Sequence, residues 1–178
     1  MKKQNLVIGL AAGAGVAALV YGLFSSDIPK GATAVSPFEK ERYMGLWYEI
    51  ARMPNLIEKD LIKLTEEYAM DDNGNMTVVT RSYNQKKDKW NEVSGKLKMA
   101  GPDSVGMLKV SYFGPAYVAY NVLALDPDYR YALVSGSGSG YLWILSKGKS
   151  IPEDIKQQFL AQAQQIGFDI NKLEWPAA

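Results

Sequence analysis

The chain of 178 residues contains no cysteine and no histidine. Without cysteine no disulfide can staple the fold. Without either residue the common zinc sites are excluded, and so are a Ser-His-Asp triad, a cysteine nucleophile and a histidine general base. A lipid carried on an N-terminal cysteine is excluded too. Charge of one sign is also missing: 20 basic side chains face 19 acidic ones, for a net charge of +1. That balance does not suit a nucleic-acid binder, which shows a basic stripe and a high pI. Any acid–base chemistry would fall to Asp, Glu, Lys, Tyr, Ser or Thr. The absences point to a binding protein that needs no metal and no cofactor, and not to an enzyme.

What is present begins with a long apolar run. Residues 5–24, NLVIGLAAGAGVAALVYGLF, follow Lys2 and Lys3, and no further charge appears before Asp27. About 20 apolar residues suffice for a helix to cross a bilayer core. The flanking lysines place Met1 on the cytoplasmic side and the rest of the chain on the exported side. Residues 1–26 therefore read either as a transmembrane anchor or as a signal segment, with Ala32-Thr33-Ala34 offering a small-x-small cleavage pattern. Residues 27–37 read as a linker broken by Pro29, Gly31 and Pro37. Residues 38–178 form the remaining domain. Without residues 1–34, which take away Lys2, Lys3, Lys30 and Asp27, the net charge becomes −1. The basic excess thus belongs to the topology signal.

The body alternates β-branched and aromatic runs with turn signals. Strands are expected over 45–53, 63–70, 75–84, 89–100, 104–113, 116–126, 129–136 and 141–146. Asn73-Gly74, Gly101-Pro102, Gly114-Pro115 and Asp126-Pro127 punctuate them. Ser150-Ile151-Pro152-Glu153 is a helix start with Ser150 as the expected cap. Ile155, Phe159, Leu160, Ala163 and Ile166 then make one apolar stripe that ends at Gly167. A last strand is expected over 169–175. Eight short strands can close into a barrel around one small ligand or pack as a filled sandwich, and composition does not choose between them.

Gly45-Leu46-Trp47-Tyr48-Glu49-Ile50-Ala51-Arg52 resembles the first strand of the lipocalins, in particular their bacterial, apolipoprotein-D-like branch. Asp126-Pro127-Asp128-Tyr129 resembles that family's second signature, and the strand containing Trp143 its last strand before the helix. The likeness covers residues 37–176. It implies an all-β fold: an eight-stranded up-and-down antiparallel barrel with a C-terminal α-helix packed outside, here preceded by an N-terminal transmembrane helix. Gly45, Trp47, Asp126, Tyr129, Trp143 and Lys147 are the implied structural signature. Lys147 stands where the family carries an arginine on the first-strand tryptophan. It keeps a cation–π contact but loses planar stacking, and Arg42 is an alternative substitute. Bacterial relatives are typically lipoproteins. With no cysteine to lipidate, the apolar segment would replace the lipid.

Strict alternation places Glu49, Ala51 and Met53 on the face of Trp47, towards the interior. A carboxylate there must be paired or protonated; Arg81 or another base near the barrel floor is the expected partner, a ligand anchor the alternative role. Val93, Leu97 and Met99 share one parity, as do Leu108, Val110 and Tyr112. With Tyr68, Tyr117 and Tyr120 these complete the expected cavity lining, apolar walls with a few polar tips. The loop 54–62 reads as a lid over the mouth, a membrane contact, or a folded-back loop that buries Leu56 and Ile57. Lys86-Lys87-Asp88-Lys89 reads as a solvated hairpin tip.

The resemblance implies a carrier of a small hydrophobic ligand, a fatty acid or lysophospholipid, in the cell envelope, with a role in membrane lipids or stress. The membrane partner is reached through residues 5–24. An enzyme on the same fold is the alternative.

Overall fold

The expected turns and strands join into a closed barrel in the computed structural model, which describes residues 28–177. A short helix α1 (Lys40–Tyr43) leads into β1 (Gly45–Arg52), β2 (Leu61–Met70), β3 (Met76–Asn84) and β4 (Lys89–Met99). Then come β5 (Met107–Ser111), β6 (Val118–Leu125), β7 (Tyr131–Ser135), β8 (Leu142–Ser146) and the helix α2 (Glu153–Ile166). Each strand pairs antiparallel with the next, and β8 returns to β1. This up-and-down closure leaves no free sheet edge. The expected anchor, residues 5–24, lies outside the described residues. Among the described residues no helix is long and apolar enough to cross a membrane.

β1 divides its partners. Gly45 to Tyr48 pair with β2, and Tyr48 to Arg52 pair with β8. Between Glu49 and Ala51 the register shifts by a bulge. A bulge adds one residue to one strand and reverses which face its later side chains meet. Trp47 belongs to the inner core with Leu145, whereas Ala51 joins Ile144 in the outer layer. The interior is otherwise filled at one end by aromatic packing, Phe38, Tyr43, Trp47, Tyr68 and Tyr120. Gly95 makes room for a further ring: a Cβ there would lie 2.8 Å from Tyr112 Cδ1.

The outer layer is the groove that the apolar stripe of α2 fills. Phe159 and Ala163 are buried against Ala51, Leu123, Leu133 and Ile144. Burying a side chain the size of Phe159 contributes about 1.5–3 kcal/mol, so tertiary packing holds this helix in place. Its start differs from the expected cap. Pro152 takes the N-cap position with no side-chain cap, and the Ser150 carbonyl instead accepts a hydrogen bond from Ser146 Oγ. Gly167 closes the helix in the left-handed conformation, as glycine readily does. The strand expected over 169–175 is replaced by one 3₁₀ turn, Ile170–Lys172. A single bridge between Arg52 and Glu174 follows. The bridge lies on the edge of β1 opposite β8, beyond Tyr48, where the pairing with β2 ends.

The Asp126 turn is held by its side chain, which accepts from the backbone N–H groups of Asp128, Arg130 and Tyr131. Tyr129 adopts positive φ in this turn. Its hydroxyl accepts from Glu39 N–H, tying the approach of the N-terminal segment to the barrel's packed end.

Candidate ligand cavity

The barrel interior holds a void beside its aromatic packing. Apolar walls come from Leu61, Leu64, Val93, Val110, Val134 and Leu145, with Tyr112, Tyr120 and Trp143. Polar side chains interrupt them: Glu58, Glu66, Thr80, Ser82 and Asn91. The cavity volume is about 40 Å³, room for roughly three waters, so the void is a narrow slot.

The expected lining residues sort into three places. Val93, Val110, Tyr112 and Tyr120 face the void. Tyr68, Leu97, Met99 and Leu108 are packed in the inner core instead, and Glu49 is buried behind Arg52. Ala51, Met53 and Tyr117 do not belong to the interior. The bulge turns Ala51 and Met53 outward under α2. Tyr117 lies on the outer surface, its ring below the ammonium groups of Lys98 and Lys109. Trp143, expected as a structural signature residue, is itself a wall of the void.

Glu49 is 1% exposed, and its partner is Arg52, which donates from Nη1 to Oε1 at 2.8 Å. Arg81 is on the outer face, bonded to Glu67 and Glu92. Arg52 also donates to the Glu58 carbonyl at 2.6 Å, the Leu61 carbonyl at 3.1 Å and Glu174 Oε2 at 3.2 Å. Its fork therefore knots β1, the β1–β2 loop and the C-terminal tail together. Burial first, then neighbouring Glu58, pushes the Glu49 carboxyl well above the usual range, against the pull of Arg52. Glu58 is raised as well, chiefly by burial, while hydrogen bonds from Asn55 and Trp143 oppose the shift.

Glu66 faces the void next to a chain of hydroxyls. Tyr68 bonds both the Glu66 carboxylate and the Tyr120 hydroxyl, the latter at 2.8 Å, and Tyr120 meets Tyr43 at 2.7 Å. One hydroxyl proton cannot serve two acceptors. When Glu66 is ionised Tyr68 donates to it; when Glu66 is protonated Tyr68 is free to donate to Tyr120. Burial lifts the Glu66 carboxyl to about 7, with Tyr68 pulling it down and Glu58 adding to the rise. The native state then holds a proton that the unfolded chain releases at lower pH. Stability falls as pH rises from the ordinary carboxylate range near 4.5 to about 7. Glu66 alone accounts for about 3 kcal/mol of this loss at most. Exposed Asp71, Glu153 and Asp169 shift the other way, but water screens such surface pairs. The thermal midpoint is therefore expected to be higher at pH 5 than at pH 8, with the difference reduced in Glu66→Gln. Equal midpoints in the parent chain would contradict it.

At the packed end Lys147 does the work assigned to the family arginine. Its ammonium sits 5.2 Å from the Trp47 ring and donates to the carbonyls of Arg42 and Met44, both at 3.0 Å. Arg42 does not substitute; it stacks 4.1 Å over Tyr129 and donates to the Pro127 carbonyl. Gly45, at φ 105°, turns the chain from α1 into β1 beside this cap. Among the described residues no group of three or more Asp or Glu is placed to hold a metal ion.

A closed eight-stranded barrel with one flanking helix and an interior slot defines a lipocalin architecture. The family model of the Lipocalin-like domain matches residues 38–178, and the chain belongs to that family. It is 44% identical over 169 residues to the outer membrane lipoprotein Blc of Citrobacter freundii, covering 95% of this chain and 96% of that one. It is 32% identical to temperature-induced lipocalin-1 of Arabidopsis thaliana, over 81% of each. Among solved structures it resembles insecticyanin of the tobacco hornworm, with a TM-score of 0.69 and 20% identity over 88% of this chain and 89% of that one. At that identity the likeness concerns the fold.

Sequence reasoning missed Arg52, Glu58 and Glu66. For Glu66 a signal existed: Leu64, Glu66 and Tyr68 share one parity of β2, and two of the three are large and apolar.

Proposed function

We propose that the chain is a membrane-tethered carrier of a single-chain lipid, a fatty acid or lysophospholipid, in the cell envelope. The observation that carries this reading is the slot inside the barrel, walled by Leu64, Val93, Val110, Val134 and Leu145. Each buried methylene contributes about 0.8 kcal/mol, so ten supply roughly 8 kcal/mol before ordering costs. The slot as it stands is too narrow for such a chain, so side chains lining it turn aside on uptake. Family membership and the relatives named outer membrane lipoproteins support an envelope location and a binding role in place of catalysis. This chain has no cysteine to lipidate. Residues 5–24 supply the tether, with residues 27–37 as linker and the barrel on the periplasmic side; cleavage after Ala34 would release it. A role in membrane lipid maintenance or stress follows from carriage. No nucleic acid is among its partners.

Native mass spectrometry of the chain from membrane fractions tests this. A bound lipid of defined mass is expected, on a species retaining residues 5–24. A chain that carries none, and takes up neither a fluorescent lysophospholipid nor a fluorescent fatty acid, overturns carriage. A species beginning after Ala34 overturns the tether.

A further inference from the structure

The slot has a polar side of one electrical sign. Glu58 and Glu66 both line it, and no lysine or arginine does. Arg52, the nearby guanidinium, is spent on Glu49, Glu174 and two carbonyls. Glu58 is 7% exposed, yet only its Oε2 is bonded, to Asn55 and Trp143. Glu66 likewise uses only Oε2, on Tyr68. Each carboxylate thus keeps one oxygen for a guest. Ser82 lines the same slot, and its hydroxyl makes no hydrogen bond among the described residues, so it too is open to a guest. Asn91, its register partner on β4, also lines the slot.

Resting on the carrier reading above, we infer that the cavity selects lipids whose head carries a protonated amine over those ending in a free carboxylate. An ammonium group donates up to three hydrogen bonds and accepts none. It complements the open oxygens of Glu58 and Glu66 and the Ser82 hydroxyl, with the alkyl chain against the valine and leucine walls. An ionised fatty acid brings a further negative charge beside these two carboxyl groups, with no free cation to meet it. Like charges in so small a volume disfavour ionisation of all of them. Binding an amine also draws both glutamates towards the ionised form, so the guest and the host charges stabilise each other.

Three guests of one chain length separate the head from the tail: dodecylamine, dodecanoate and dodecan-1-ol. They are titrated at pH 7.5 into the full chain kept in solution by an amphipathic polymer, with Trp143 in the cavity wall contributing to the fluorescence signal. Dodecylamine is expected to bind at least tenfold more tightly than dodecanoate, with dodecan-1-ol between them. Glu66→Gln and Glu58→Gln should each shrink the ratio several-fold, chiefly by weakening the amine, while uptake of dodecan-1-ol by the variants shows that they fold. If dodecan-1-ol binds but the amine is no tighter than dodecanoate, the head selectivity is wrong and carriage stands. If none of the three binds, carriage itself fails and the selectivity with it.

Discussion

Replacing Arg52 with leucine is expected to cost about 3–5 kcal/mol, the range for breaking a buried ion pair from one side. The cost arises mainly from what is left behind. Glu49, 1% exposed, loses its counter-charge, and the carbonyls of Glu58 and Leu61 lose their donor. Glu174 loses its bond as well, but it is partly exposed and can return to water. Glu49 then folds only as the neutral acid, so the variant should lose further stability as pH rises from 5 to 8. A double variant, Glu49→Leu with Arg52→Leu, should recover part of the loss, because no charge is stranded. It should not recover all, since the Leu61 carbonyl loses its Arg52 donor and the Glu58 carbonyl keeps only the Leu61 N–H. Urea denaturation of the three proteins at both pH values measures this. A loss below about 1 kcal/mol for Arg52→Leu would mean that water reaches Glu49, and that the knot between loop and tail contributes little.

The strand count was open to reading because its determinants are local. Asn73-Gly74, Gly101-Pro102 and Asp126-Pro127 impose turns through their own backbone preferences, and parity along β4 and β5 follows from the pleat. The stripe of α2 is equally local, since Phe159 and Ala163 recur at helical spacing. The interior was harder to read at the positions where geometry is set from elsewhere. Nothing in GLWYEIAR marks Ile50 as a bulge. The register shift between Glu49 and Ala51 is defined against β8, a strand remote in sequence whose register the local residues of β1 do not reveal. Once the register shifts, Arg52 comes to the parity of Glu49, and an ion pair three residues apart becomes possible within one strand. A regular pleat would have put them on opposite faces, which is why Arg81 looked the better partner. Tyr117 misled for a different reason. It lies just before β6, in a connection where alternation carries no information, and its ring found lysines on the outer wall.

The other large effect is expected at the packed end, where Trp47→Ala should destabilise the chain by about 3–5 kcal/mol. Trp47 is fully buried, stacked on Tyr43 at 4.8 Å between centroids, and its indole N–H donates to the Tyr43 carbonyl at 2.8 Å. Removing the indole opens a cavity, orphans that carbonyl and takes away the ring beneath the Lys147 ammonium. Trp47→Phe should cost less, because it keeps most of the volume while losing the donor. Lys147→Ala combined with Trp47→Ala should be less than additive, since the two share one contact. The consequence should also reach the slot. Tyr43 bonds Tyr120, and Tyr120 bonds Tyr68, the residue that donates to Glu66. Loosening Tyr43 slackens the hydroxyl chain that pulls the Glu66 carboxyl down, and burial then acts on it with less opposition. In Trp47→Ala the pH at which stability falls should therefore move upward from about 7. Thermal midpoints of parent, Trp47→Phe and Trp47→Ala between pH 4 and pH 9 read both effects. An unchanged pH profile beside the expected loss would show that the aromatic cap holds the barrel's end without setting the charge of its interior.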